Sequence, residues 1–201
     1  MGLLVSSDTP VQTVQEFVKL AKTNPGKLTY ASPGNGTPMH MAMELFKLES
    51  GTAILHIPYK EYSVSVADLI GGRINGMITA ISVSGPLFQQ VKTGKVKLIA
   101  TLTNERLTSM TSVPTFRESG YPNVDVHVWY GLLGPAGLPI DIANRLNSEI
   151  NAAIKQQEIR VVFDKAGLNL AGGSAEQFRE WLHAEAERWT RVVKEAGIKS
   201  D

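Results

Sequence analysis

The segment Ser32-Pro33-Gly34-Asn35-Gly36-Thr37 is where residue types and spacing could do chemistry. Gly34 and Gly36 let backbone N–H groups turn outward, and Ser32 and Thr37 add hydroxyl donors. Pro38 follows at the favoured first position of a helix, so these donors sit at a helix N-terminus, which carries about half a positive charge. The product is an anion site that needs no Lys or Arg. A carboxylate there would take charge-assisted hydrogen bonds worth roughly 1.5–3 kcal/mol each. Spacing alone leaves a second reading open, a plain strand-to-helix turn with Gly for tight packing, and isolated Gly-x-Gly patterns are common enough to weigh toward it. No Gly-Lys-Thr or Gly-Lys-Ser closes the loop and the third glycine of a dinucleotide fingerprint is missing, so phosphoryl transfer and nicotinamide chemistry lose their main support.

His40 lies three residues after Thr37 and either covers the anion pocket or is satisfied between helix and sheet. Glu44 is one turn further on the same face. His56, His127 and His183 fall on separate elements, and no His-Glu-x-x-His pattern occurs, so no metal set assembles. Ser82-Val83-Ser84-Gly85 is not a nucleophile elbow. Thr79, Ser82 and Ser84 read as small hydroxyl side chains at the carboxyl edge of a sheet, where open α/β sheets bind ligands, or as simple turn formers. Trp129-Tyr130-Gly131 either walls a cleft or belongs to a core.

The elements that must hold these residues are announced in turn. Thr13-Val14-Gln15-Glu16 reads as a capping box opening a helix that Asn24-Pro25-Gly26 stops. Strands are expected over 28–31, 54–57, 74–78 and 96–102, and helices after Pro38 to about Gly51 and over 63–70 and 86–91. The last of these strands has little polar interruption, as for one buried on both faces of a parallel sheet. Strand and helix alternating at short intervals indicate βαβ units and an α/β fold. A Thr-, Ser-, Pro- and Gly-rich stretch over 104–122 breaks the rhythm, with one helical turn over 115–119. Residues 124–133 read as a long extended segment. Beyond a composition shift near Gly134 the chain is nearly all helix, with one helix ending before Gly167 and another opened by a second capping box, Ser174-Ala175-Glu176-Gln177.

Composition removes several classes of function. The 201 residues carry 20 Lys and Arg against 19 Asp and Glu, a net charge of +1, which gives no electrostatic reason to expect nucleic acid or an anionic membrane as partner. Zero cysteines exclude disulfides, thiolate metal sites and a Cys nucleophile. No apolar run approaches the length needed to span a bilayer, and the first eight residues lack the basic and apolar regions of a signal peptide. The chain reads as soluble, without a cofactor.

The segment from Asn24-Pro25-Gly26-Lys27-Leu28 through Tyr30-Ala31-Ser32-Pro33-Gly34-Asn35-Gly36-Thr37 to His40 and Glu44-Leu45-Phe46 resembles the Bug proteins. These are the TctC-family substrate receptors of tripartite tricarboxylate transporters. The likeness continues in order through His56-Ile57-Pro58-Tyr59-Lys60, Asp68-Leu69-Ile70-Gly71-Gly72, Lys92-Thr93-Gly94-Lys95, Val113-Pro114-Thr115, Glu118-Ser119-Gly120, Trp129-Tyr130-Gly131 and Pro135-Ala136-Gly137. It ends with Gly172-Gly173-Ser174, Trp189 and Glu195-Ala196-Gly197-Ile198-Lys199. The resemblance implies a periplasmic solute-binding protein of type II-like α/β fold that closes on a small carboxylated ligand, without catalysis, and passes it to membrane permease subunits. The family's second-lobe anion loop falls on Ser32, Gly34, Asn35, Gly36 and Thr37, with His40 behind them. Thr79 and Ala80 fall where many members place pocket residues, and Trp129 near the crossing strands that would form the hinge.

Relative to that family, the sequence as read is expected to lack the opening third, first-lobe strand and signal peptide included. The expected organisation is therefore a leading segment and first helix over 1–26, one complete α/β ligand-binding lobe over 27–133, and helices over 134–201 that return to an incomplete first lobe. An incomplete lobe leaves apolar helix faces open to another copy, hence an alternative reading as a self-associating receptor remnant that transports nothing. A hydrolase is the weakest alternative, because neither triad nor metal set can be assembled.

Overall fold

The computed structural model describes residues 1–82, 85–166 and 168–198. Val83, Ser84, Gly167 and Lys199, named above, lie outside the described residues. The chain divides into two compact units, Met1–Val128 with the stretch from Val192 onward, and Trp129–Arg191. Among the described residues no helix is long and apolar enough to cross a membrane.

In the first unit β1 (Gly2–Ser6), β2 (Thr29–Ser32), β3 (Leu55–Pro58), β4 (Gly76–Thr79) and β5 (Val96–Thr101) form one sheet in the order β3-β2-β4-β1-β5. β2 runs parallel to β3 and β4, as the βαβ rhythm predicts. The remainder of the sheet departs from expectation. β1, which the sequence reading left unassigned in the leading segment, sits between β4 and β5 and pairs antiparallel with both. β5 is thus an antiparallel edge strand rather than a strand of a parallel sheet, its apolar run matched by burial at every residue from Val96 to Thr101 but Lys97, which is half-buried. Residues 1–26 are part of this α/β unit, not an appendage to it. No strand forms over 124–133, although Val124 and Val126 are buried.

Alternating side chains send the sheet's apolar residues to both faces, and each face is covered. On one side Leu4, Ala31, Met77 and Leu98 pack with Leu69 of α3 (Tyr62–Ile70) and with Leu87 and Phe88 of α4 (Pro86–Lys92). On the other, Phe17 of α1 (Val14–Thr23) stacks at 6.4 Å on Phe46 of α2 (Pro38–Ser50), and Phe46 meets Phe116 edge-on at 5.1 Å. Thr13 caps α1 by accepting from Glu16 N, while the Glu16 carboxylate accepts from Gln12 N, one residue earlier than an ideal box. The expected turn over 115–119 forms, closed by reciprocal bonds between Thr115 and Glu118.

The second unit contains α5 (Ile140–Ala153), α6 (Gln157–Ala166) and most of α7 (Ala175–Ala196). The Ser174–Gln177 box forms in both directions, at 2.9 and 3.1 Å.

Candidate functional site

β2, β3 and β4 run parallel, so their carboxyl ends share one edge, which carries Ser32, Pro58 and Thr79. The chain steps from β2 outward to β3 and then back across to β4, so strand progression reverses beside β2. Open α/β sheets bind ligands at such a reversal, outside the carboxyl ends of the strands. The 32–37 loop leaves β2 there and enters α2. Thr37 is the N-cap, its hydroxyl accepting from His40 N at 3.4 Å, with Pro38 in the first turn. Gly51, at φ +61°, ends the helix in the left-handed conformation.

The loop's amides do not all point to solvent as the sequence reading expects. Gly34 N donates to Ser32 Oγ (3.1 Å), Gly36 N to His40 Nδ1 (3.2 Å) and Thr37 N to Gly34 O (3.4 Å). Thr37 Oγ1 donates to Gly34 O at 2.8 Å. The donors are present, and side chains, Ser32 of the loop and His40 of α2, hold two of these three amides. Gly34 (φ +135°) and Gly36 (φ +73°) take backbone conformations that side chains disfavour, and a Cβ added at either would meet nothing within 4 Å.

Beneath the loop lies a buried polar cluster whose full extent the sequence does not show. Ser32 Oγ is 2.6 Å from His56 Nε2. The His56 ring stacks on Tyr30 at 4.8 Å and lies 4.3 Å from the His40 ring. His40 Nε2 faces Glu44 Oε1 at 3.9 Å, and the same oxygen accepts from Lys47 Nζ at 2.6 Å and from the Tyr30 hydroxyl. Burial first, and then the bond to Glu44, push the Tyr30 phenol far above its ordinary pKa, so it remains a donor at any working pH. His56 therefore does not stand apart from His40. The β2–β3 register sets Tyr30 opposite His56, and α2 returns His40 over the same strand. Ser32 is 1% exposed and tied at both ends to Gly34, which makes it a brace for the loop. Among the described residues no group of three or more His, Cys, Asp or Glu side chains could hold a metal ion.

Tyr59, just past β3, binds Ser32 O through its amide at 2.9 Å. Its hydroxyl donates to Asp68 at 2.7 Å. Burial, with the Asp68 bond, pushes the phenol up to about 12. The Tyr59 and Arg73 bonds hold the Asp68 carboxyl below its usual range. Thr79 is buried with its hydroxyl 3.5 Å from the Tyr62 hydroxyl, and Ala80 beside it is exposed. Trp129 belongs to the second unit, where it meets Phe178 and Trp181 edge-on at 5.8 and 5.0 Å.

A family model described as the tripartite tricarboxylate transporter family receptor, TctC, matches residues 1–198. The chain belongs to this family. The UPF0065 protein in the tcbD-tcbE intergenic region of Pseudomonas sp. (strain P51) is 32% identical over 200 residues, 99% of this chain and 59% of its own length. The solved structure of R. palustris Rpa4515 with adipate has a TM-score of 0.77 at 29% identity, over 98% of this chain and 65% of that one. MatC from Rhodopseudomonas palustris with bound malate has a TM-score of 0.71 at 25% identity, over 96% and 65%. This TctC chain spans about three fifths of the length of most of the curated relatives it matches. Its α/β fold resembles the type II periplasmic binding proteins.

Proposed function

We propose that this TctC-family chain binds a small organic carboxylate through the 32–37 loop and serves, in the periplasm, a tripartite tricarboxylate-type transporter whose membrane permease subunits take up the ligand. Gly34, Asn35, Gly36 and Thr37 receive the carboxylate, with Ser32 bracing the loop and His40 behind it, and with Thr79 and Ala80 on the same sheet edge. The observation that carries this reading is a glycine loop at a helix N-terminus in which the Gly34 and Gly36 amides are held by the Ser32 and His40 side chains rather than by backbone carbonyls. Exchanging a neutral bond worth about 1 kcal/mol for a charge-assisted one worth roughly 1.5–3 kcal/mol favours the guest at these two amides. Two relatives of similar fold carry dicarboxylates, adipate and malate, which makes these the first probes. Titration calorimetry with adipate and malate, and with the uncharged diol of adipate's length, tests the reading. Saturable heat is expected with at least one acid and none with the diol; heat from neither acid, or equal heat from the diol, overturns it.

A second reading, self-association, has its own support in the second unit. Tyr130, Leu132 and Leu133 are 81%, 77% and 73% exposed, and α5 has no buried residue. Sedimentation velocity separates the two: a monomer that binds an acid supports the receptor, a ligand-blind oligomer the alternative.

A further inference from the structure

The loop's contact with His40 carries an inference that rests on the carboxylate reading and concerns its regulation. Gly36 N donates to His40 Nδ1, and a ring nitrogen that accepts from an N–H bears no proton. The neutral ring therefore keeps its proton on Nε2, the atom facing Glu44. Protonation at Nδ1 would turn that acceptor into a donor aimed at another donor, and the Gly36 contact would open.

The surroundings decide when this happens. Among the described residues the ionisable groups facing the ring are Glu44 and Lys47 from α2, Tyr30 from β2 and His56 from β3. Lys47 balances Glu44 at 2.6 Å, and Tyr30 is a neutral donor to the same carboxylate. An imidazolium at His40 would be a positive charge only 4% exposed and three residues past the N-cap of α2, where the helix end is itself positive. An anion in the 32–37 loop, beside the Gly36 amide that His40 Nδ1 contacts, attracts that charge. Guest and proton thus favour one another.

We infer that His40 is a proton-operated latch: neutral, it holds the Gly36 amide shut, and protonated, it frees that amide and offers Nδ1–H to the carboxylate, so that ligand binding takes up a proton. The sign follows directly. The bound state holds the extra proton, so affinity falls as pH rises, approaching about tenfold per pH unit where the free ring is neutral and the bound ring charged.

Two measurements test the latch. Calorimetry with malate from about pH 6 to about pH 8, in buffers of different ionisation enthalpy, is expected to show uptake approaching one proton per malate and the stated loss of affinity. His40→Asn, whose Oδ1 still accepts from Gly36 N without titrating, is expected to bind with flat pH dependence. In the ligand-free protein, the Gly36 amide and the His40 ring, followed by NMR, are expected to titrate together. Malate binding without proton uptake, or His40→Asn retaining the slope, overturns the latch and leaves the carboxylate reading standing. Absence of binding by malate and adipate at every pH overturns the carboxylate reading instead. The ligand-free titration then decides the latch, which fails if Gly36 does not follow His40.

Discussion

Placing a fixed negative charge in the loop at Gly36 isolates electrostatics from shape. Gly36 has φ +73° and open space where a Cβ would point, so Asp and Asn fit equally well there and are the side chains that best tolerate this conformation. Each costs about 1 kcal/mol of backbone strain, a Tm drop of roughly 2–4 °C for a chain of this size. Only Asp adds charge. Two unit charges 4 Å apart repel by about 1 kcal/mol in water and by about 4 kcal/mol near a protein surface. Because Gly36 is exposed, the lower end applies unless the guest displaces the solvent. The Gly36→Asp protein should therefore bind malate between about 5-fold and about 700-fold more weakly than Gly36→Asn, at 1.4 kcal/mol per decade, and added salt should narrow the gap. Calorimetry on both variants, with thermal melts to confirm equal folding, provides the comparison. Affinities of both variants equal to that of the unchanged protein would refute the placement of the guest's negative group at this loop, and an equal loss in both would show that shape, not charge, decides.

Other consequences are local. Thr37→Ala removes the cap of α2 and its bond to Gly34 O, for an expected loss of about 1 kcal/mol in urea unfolding; Thr37→Ser should restore most of it. Phe46→Ala deletes a fully buried ring shared by Phe17 and Phe116, and roughly 3–5 kcal/mol should disappear from the same measurement. Asp68, whose carboxyl is held low by Tyr59 and Arg73, contributes stability that is present above the unfolded value of about 4 and is lost as pH falls through the folded one. The acid limb of the urea midpoint against pH should accordingly flatten in Asp68→Asn.

Local signals were legible where neighbours along the chain settle the structure. Thr37, Pro38 and Gly51 mark both ends of α2, and Thr13 and Ser174 mark two helix starts, because a cap is made within four residues. Long-range pairing was not. Gly2-Leu3-Leu4-Val5-Ser6 becomes a strand only because β4 and β5, more than 70 residues away, accept it on both sides; nothing local distinguishes it from a short apolar tail. The meeting of His40 with His56 depends on the register of β2 against β3, which a periodicity cannot encode. The loop's glycines were readable as a source of free donors, yet which atom each amide meets depends on where the Ser32 and His40 side chains turn.

The central claim is that the 32–37 loop receives the ligand's carboxylate, and amide-resolved NMR during titration with malate tests it most directly. Saturable shifts at Gly34, Asn35, Gly36 and Thr37, larger than those elsewhere in the first unit, are the predicted result. Saturable binding that leaves these four amides unmoved would contradict it.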